Sequence, residues 1–130
     1  MSSGARVLVD TSAWVEYLRQ DGDSEIQLAV RQALEAGQAV LCDLVVLELW
    51  NGAQGKRQPL ILQVLEATLD MVPTTEAVWA RARHLARSCR SGGLTIPATD
   101  LLIAACAQVH DATLVHCDGH YDRLAALEVG

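Results

Sequence analysis

Four short apolar runs punctuate the chain: RVLV at 6–9, AVLC at 39–42, MVP at 71–73 and ATLVHC at 112–117. Between them lie stretches with helical character. Strands that alternate with helices pair in parallel, because each crossover helix carries the chain back to the edge from which the previous strand started. The alternation therefore restricts the chain to an α/β fold with a mainly parallel central sheet. Composition agrees, since 51% of residues are hydrophobic but only 4% aromatic, with no Phe. A core of Leu, Val, Ala and Ile suits helices packed on a buried parallel sheet.

The segments between the runs have readable boundaries. Residues 12–20 carry a helical pattern that DGDS interrupts. Asp23 or Ser24 then caps a second helix to about residue 36, with Gly37 as its stop signal. Asp43 caps a helix over 43–53, the loop QGKRQP precedes one at 60–69, and Thr74 or Thr75 opens one at 75–90. SGGLTIP is a Gly/Pro loop, followed by an apolar helix beginning near Pro97 and, after the last strand, a turn and a short helix. Repeats, low-complexity tracts and linkers are absent from the sequence. At 130 residues a single domain spanning 1–130 is expected.

Several function classes are excluded or disfavoured. No apolar run reaches the roughly 18 residues of a membrane span. The N-terminus MSSGARVLVD lacks the pattern of an export signal, so a cytoplasmic protein without membrane contact is expected. Cys42, Cys89, Cys106 and Cys117 show no C-x-x-C spacing. Three of them, Cys42, Cys106 and Cys117, lie in apolar segments and read as buried, reduced thiols. His84, His110, His116 and His120 lack the HExxH spacing of a zinc hydrolase. The net charge of −6, from 16 acidic against 10 basic residues, does not suit gripping nucleic acid by bulk electrostatics. It is compatible with a protein that reaches phosphate through a bound cation.

Ligands of open α/β sheets bind beyond the carboxyl ends of the strands. This chain puts acids there. Asp10 follows RVLV at once, Asp118 follows LVHC, and Asp100 stands in the first turn of its helix. Glu48 sits within the apolar LVVLELW, where an unpartnered charge is costly. Singly, Asp10 and Asp118 can cap the helices after them, and Asp100 can offset a helix dipole. Together at one edge, the four would repel unless something cationic lies among them. Arg123, five residues past Asp118, is a candidate cation in these stretches. Oxygen-rich clusters of this kind suit Mg²⁺ or Mn²⁺. Asp122, in a DRL context, reads as an exposed helix residue.

These residues resemble the PIN-domain ribonucleases, in particular the VapC toxins of bacterial toxin–antitoxin pairs. VLVDTSAWVEYL is similar to the family's opening motif, with Asp10 as first acid and Ser12 as the nearby hydroxyl. CDLVVLELWNGA resembles the segment bearing the glutamate, here Glu48. TDLLIAACAQVHDATLVHCDGHYDRLA carries the third and fourth acids, Asp100 and Asp118. Where the family often has Thr two residues before its fourth acid and Asp two after, this chain has His116 and His120. The resemblance implies a three-layer α/β/α sandwich and an Mg²⁺-dependent (or Mn²⁺-dependent) endoribonuclease. It assigns Asp10, Asp100 and Asp118 to the metal, and Glu48 to holding it or orienting the attacking water. It also implies a homodimer held inactive by a cognate VapB-type antitoxin.

An RNA substrate needs cations outside the acidic site. Arg83, Arg87 and Arg90 share one face of the 75–90 helix, and Lys56 and Arg57 lie in a loop. Trp14, Trp50 and Trp79, in helices with apolar neighbours, read as core or interface residues. Two other functions remain open on the sequence. One is a PIN-like binding module without catalysis. The other is a haloacid-dehalogenase-type phosphatase, which expects an Asp where Ser12 stands.

Overall fold

The computed structural model describes residues 5–129. Residues 1–4, part of the N-terminal stretch read above for an export signal, and residue 130 lie outside the described residues. The elements in chain order are β1 (Arg6–Val9), α1 (Thr11–Leu18), α2 (Ser24–Glu35), β2 (Ala39–Cys42), α3 (Asp43–Gly52) and α4 (Arg57–Thr68). They continue with β3 (Asp70–Val72), α5 (Glu76–Ser91), α6 (Ala98–Val109), β4 (Ala112–Val115) and α7 (Gly119–Val129).

The four strands form one all-parallel sheet in the order β3-β2-β1-β4. In register, Leu8 faces Val40 on one side and Leu114 on the other. The chain moves outward from β1 to β2 and β3, then returns past β1 to add β4. Right-handed crossovers consequently put α1 and α2 on one face of the sheet and α5 and α6 on the other, giving three layers. Because β1 is an inner strand, Leu8 and Val9 are fully buried, and Trp14 one turn into α1 is buried with them. Trp14 Nε1 finds no acceptor among the described residues, a cost of about 1–3 kcal/mol that ring burial must offset. Trp50 and Trp79, by contrast, are exposed.

Helix starts follow local chemistry. Asp23 caps α2 by accepting from the Ile26 N–H at 3.0 Å, and Thr75 caps α5 by accepting from Val78. Asp43 is not the cap of α3. Cys42 holds that position, and the Asp43 carboxylate instead accepts from the Thr74 hydroxyl of the segment after β3. Helix α4 begins before Pro59, which sits in its first turn, where the missing N–H has no helical partner to lose. The last strand stops at Val115, two residues short of the apolar run, so Cys117 is exposed while Cys42, Cys89 and Cys106 are buried free thiols. Among the described residues, no helix is long and apolar enough to cross a membrane.

The α1–α2 turn depends on a close approach at Gly22. Asp23 N–H donates to Glu16 Oε1 at 2.9 Å, and Gln27 Nε2 donates to the carbonyls of Glu16 and Arg19. A Cβ at Gly22 would lie 1.9 Å from the Glu16 carbonyl oxygen. Gly22→Ala is therefore expected to lower the unfolding free energy by about 1–3 kcal/mol, the usual cost of overpacking. Denaturant melts at matched slope measure it, and an unchanged midpoint would show that the turn yields without cost.

Candidate metal centre

All strands point the same way, so their carboxyl ends share one edge, and three of the predicted acids meet there. Asp10 leaves β1 directly and is nearly buried, at 3% exposure. Its two oxygens have different tasks. Oδ2 accepts from the Ser12 N–H at 3.0 Å and the Ser12 hydroxyl at 2.6 Å, which caps α1. Oδ1 accepts from the Tyr121 hydroxyl at 2.8 Å. That hydroxyl also lies 3.4 Å from Asp100 Oδ1, so Asp10 and Asp100 face each other across a single oxygen. Burial, then the Asp10 charge, pushes the Tyr121 phenol far above its ordinary range, so it remains a neutral donor.

Asp118 reaches the same edge from the loop after β4, not from the strand itself. Its Oδ1 accepts from the His120 N–H at 2.9 Å, in the manner of a cap on α7. The ring of His120 turns back between two carboxylates. Its Nδ1 donates to Asp100 Oδ2 at 2.7 Å and lies 3.1 Å from Asp118 Oδ1. Thus the group set among the acids is His120, and Arg123, proposed above for that place, is exposed on α7. His116 serves the loop instead: its Nδ1 accepts from the Asp118 N–H at 3.3 Å, and its ring packs on Tyr121.

Glu48 is linked to this group at one remove. Its Oε1 accepts from the hydroxyl of Thr11, the neighbour of Asp10, at 2.6 Å. It also lines a cavity of about 290 Å³ with Thr11, Val15 and Gln58. Arg83, Arg87 and Arg90 are exposed on α5, turned away from its buried Val78, Leu85 and Cys89, and do not enter the acidic group. Two participants went unread in the sequence, Tyr121 and Thr11. Nothing in the local pattern marks either, because each works through a contact with a distant element.

The residues fit a divalent cation. One donor atom each from Asp100, Asp118 and His120 lies within 4.8 Å of the others, with the Asp10 carboxylate alongside. Carboxylate oxygens at such separations suit a hard, oxygen-seeking ion.

Comparison with known proteins shows the family. The model of the PIN domain family matches residues 7–127, and the chain belongs to that family. Ribonuclease VapC11 of Mycobacterium tuberculosis is 35% identical over 125 residues, covering 93% of this chain and 92% of the relative. Among solved structures, VapBC2 from Rickettsia felis, bound to a DNA fragment from its promoter, has a TM-score of 0.74 at 20% identity. That match covers 90% of this chain and 91% of the other. FitAcB from Neisseria gonorrhoeae has a TM-score of 0.73 at 23% identity, covering 92% and 93%. At these identities the two structures speak for the fold.

The cluster has an electrostatic cost. Burial raises the Asp100 carboxyl above its ordinary range; the His120 hydrogen bond opposes this, while the charges of Asp118 and Asp10 add to it. A carboxyl whose pKa rises on folding favours the fold while protonated, and loses that advantage as pH climbs through the folded-state value. Asp100→Asn is therefore expected to melt a few degrees higher than the wild type at neutral pH in EDTA. The gain should fade as pH falls through the Asp100 titration. Thermal melts across pH check it; equal melting at neutral pH would show that His120 already balances the charge.

Proposed function

We propose that this chain is the toxin of a type II toxin–antitoxin pair, an endoribonuclease that cleaves RNA phosphodiester bonds with Mg²⁺ or Mn²⁺. The whole of residues 1–130 acts as one PIN domain, a reading supported by the family match over 7–127 and by one continuous buried core. The observation that carries the function is the meeting of Asp10, Asp100 and Asp118 at the carboxyl edge, in a chain 35% identical to a VapC ribonuclease over 93% of its length. The same family match sets the phosphatase reading aside, and Ser12, where that class needs an acid, spends its hydroxyl on Asp10.

In this reading Asp10, Asp100 and Asp118 hold the ion. Ser12 and Tyr121 fix the Asp10 carboxylate from both oxygens, so it meets a ligand without reorganising. When bound, the ion supplies a nucleophile from water at neutral pH and offsets charge that builds on the phosphate. Glu48, aimed by Thr11, helps hold the ion or orients the attacking water. RNA approaches along Arg83, Arg87 and Arg90. Helices α5 and α6 run antiparallel, with Arg81 bonded to Gln108 and His110 to the Pro73 carbonyl.

The partner is a VapB-type antitoxin, as in the VapBC complexes of similar fold. An antitoxin Arg fits a cluster of carboxylates as a charge-assisted, two-pronged donor. Leu47, Leu60 and Val64, at 64%, 60% and 60% exposure, give α3 and α4 an apolar surface suited to that partner or to a second copy in a homodimer.

Asp10→Asn should reduce cleavage of a sensitive RNA by about a thousandfold, the scale of losing several kcal/mol of charge stabilisation at a metal, with the fold retained. Gel assays with and without EDTA test it, and full activity in the Asn variant would end the proposal. Mapping RNA 5′ ends in cells after brief expression of both forms identifies the target. Arg87→Glu should weaken RNA binding and lower the slope of log affinity against log salt by about 1. Identical affinity and slope would remove α5 from the RNA path.

A further inference from the structure

We propose that His120 is itself a ligand of the divalent ion, through Nδ1, and that this nitrogen makes the site favour Mn²⁺ over Mg²⁺. The inference rests on the metal-dependent reading above and goes beyond it, because that reading assigns the ion to carboxylates alone.

Spacing is the first argument. An octahedral ion with bonds of about 2.0–2.2 Å holds adjacent donor atoms about 2.8–3.1 Å apart. His120 Nδ1 is 2.7 Å from Asp100 Oδ2 and 3.1 Å from Asp118 Oδ1. These two separations are close to the edges of such a polyhedron, and all three donor atoms lie within 4.8 Å of one another, so one ion can take the place of the shared proton among them.

The second argument is how the ring is held. His120 is the second residue of α7, and its own N–H donates to Asp118 Oδ1 at 2.9 Å. The backbone that carries the imidazole thus anchors the neighbouring carboxylate, and the two donors are fixed relative to one another. His116 on the other side of Asp118 differs, since its Nδ1 is taken by the Asp118 N–H. Of the histidines flanking Asp118, His120 has its nitrogen at the carboxylates.

Ligand chemistry then sets the preference. Mg²⁺ is bound by oxygen and gains little from imidazole, whereas first-row transition ions gain from a nitrogen donor, increasingly from Mn²⁺ toward Cu²⁺. An acid at position 120 would leave an all-oxygen site. His120 makes it mixed.

The test uses the full chain with Mn²⁺ alone and Mg²⁺ alone. Calorimetric titration should give tighter binding of Mn²⁺ than Mg²⁺, and His120→Asp should narrow that gap by about tenfold or more, at least the effect of losing a ligand's supporting partner. Electron spin echo spectra of bound Mn²⁺ should carry ¹⁴N coupling that changes to ¹⁵N coupling in histidine-labelled protein. His116→Gln should keep the coupling and His120→Asp should lose it. The wild-type spectrum stands even where a variant folds poorly. Bound Mn²⁺ without nitrogen coupling, or an unchanged preference in a folded His120→Asp protein, would overturn the role of His120 and leave a carboxylate site. Failure of the wild type to bind either ion would overturn the metal-dependent reading itself.

Discussion

A buried negative charge at the end of the central strand is the constraint on which the rest of this molecule turns. Asp10 is 3% exposed, and a carboxylate so placed is costly unless its oxygens are hydrogen-bonded. The chain satisfies it from both of its ends. Ser12, two residues on, gives one oxygen a backbone and a hydroxyl donor, and Tyr121, near the C-terminus, gives the other a phenol. The Ser12 hydroxyl in turn accepts from the Cys117 N–H at 2.9 Å. The loops after β1 and β4 are thereby tied together at the place where the acids meet.

Much of this fold was legible because its signals are local. A strand that must be buried on both faces reads as an apolar run, and β1 and β2 begin and end where RVLV and AVLC do. Asp23 and Thr75 cap the helices after them through contacts three residues away. The errors fall where a distant element decides. ATLVHC reads as strand throughout, but pairing with β1 ends opposite Val9, and beyond it the Cys117 N–H bonds to Ser12 instead of a ladder partner. Asp43 looks like a cap and is engaged by Thr74, across 31 positions.

The acids divide along the same line. Asp10, Asp100 and Asp118 could be expected at one edge because each follows a strand or opens a helix there, which is topology. What lies between them could not. Repulsion among the acids called for something cationic, read as a divalent ion, with Arg123 as the nearest basic side chain. The structure sets the imidazole of His120 between Asp100 and Asp118, because the first turn of α7 aims position 120 at Asp100 and leaves position 123 in solvent. That depends on the phase of a helix, which the turn before it sets.

The strand order has a consequence for how such a protein is made. β1 is synthesised first, yet one of its two neighbours, β4, comes from residues 112–115, and Asp118 and Tyr121 follow later still. While the ribosome holds these residues in its exit tunnel, Asp10 stands on a half-paired strand without its phenol donor. A nascent fragment that stops short of Tyr121 lacks part of the acidic cluster, so the site is completed only after β4 and the start of α7 have been made.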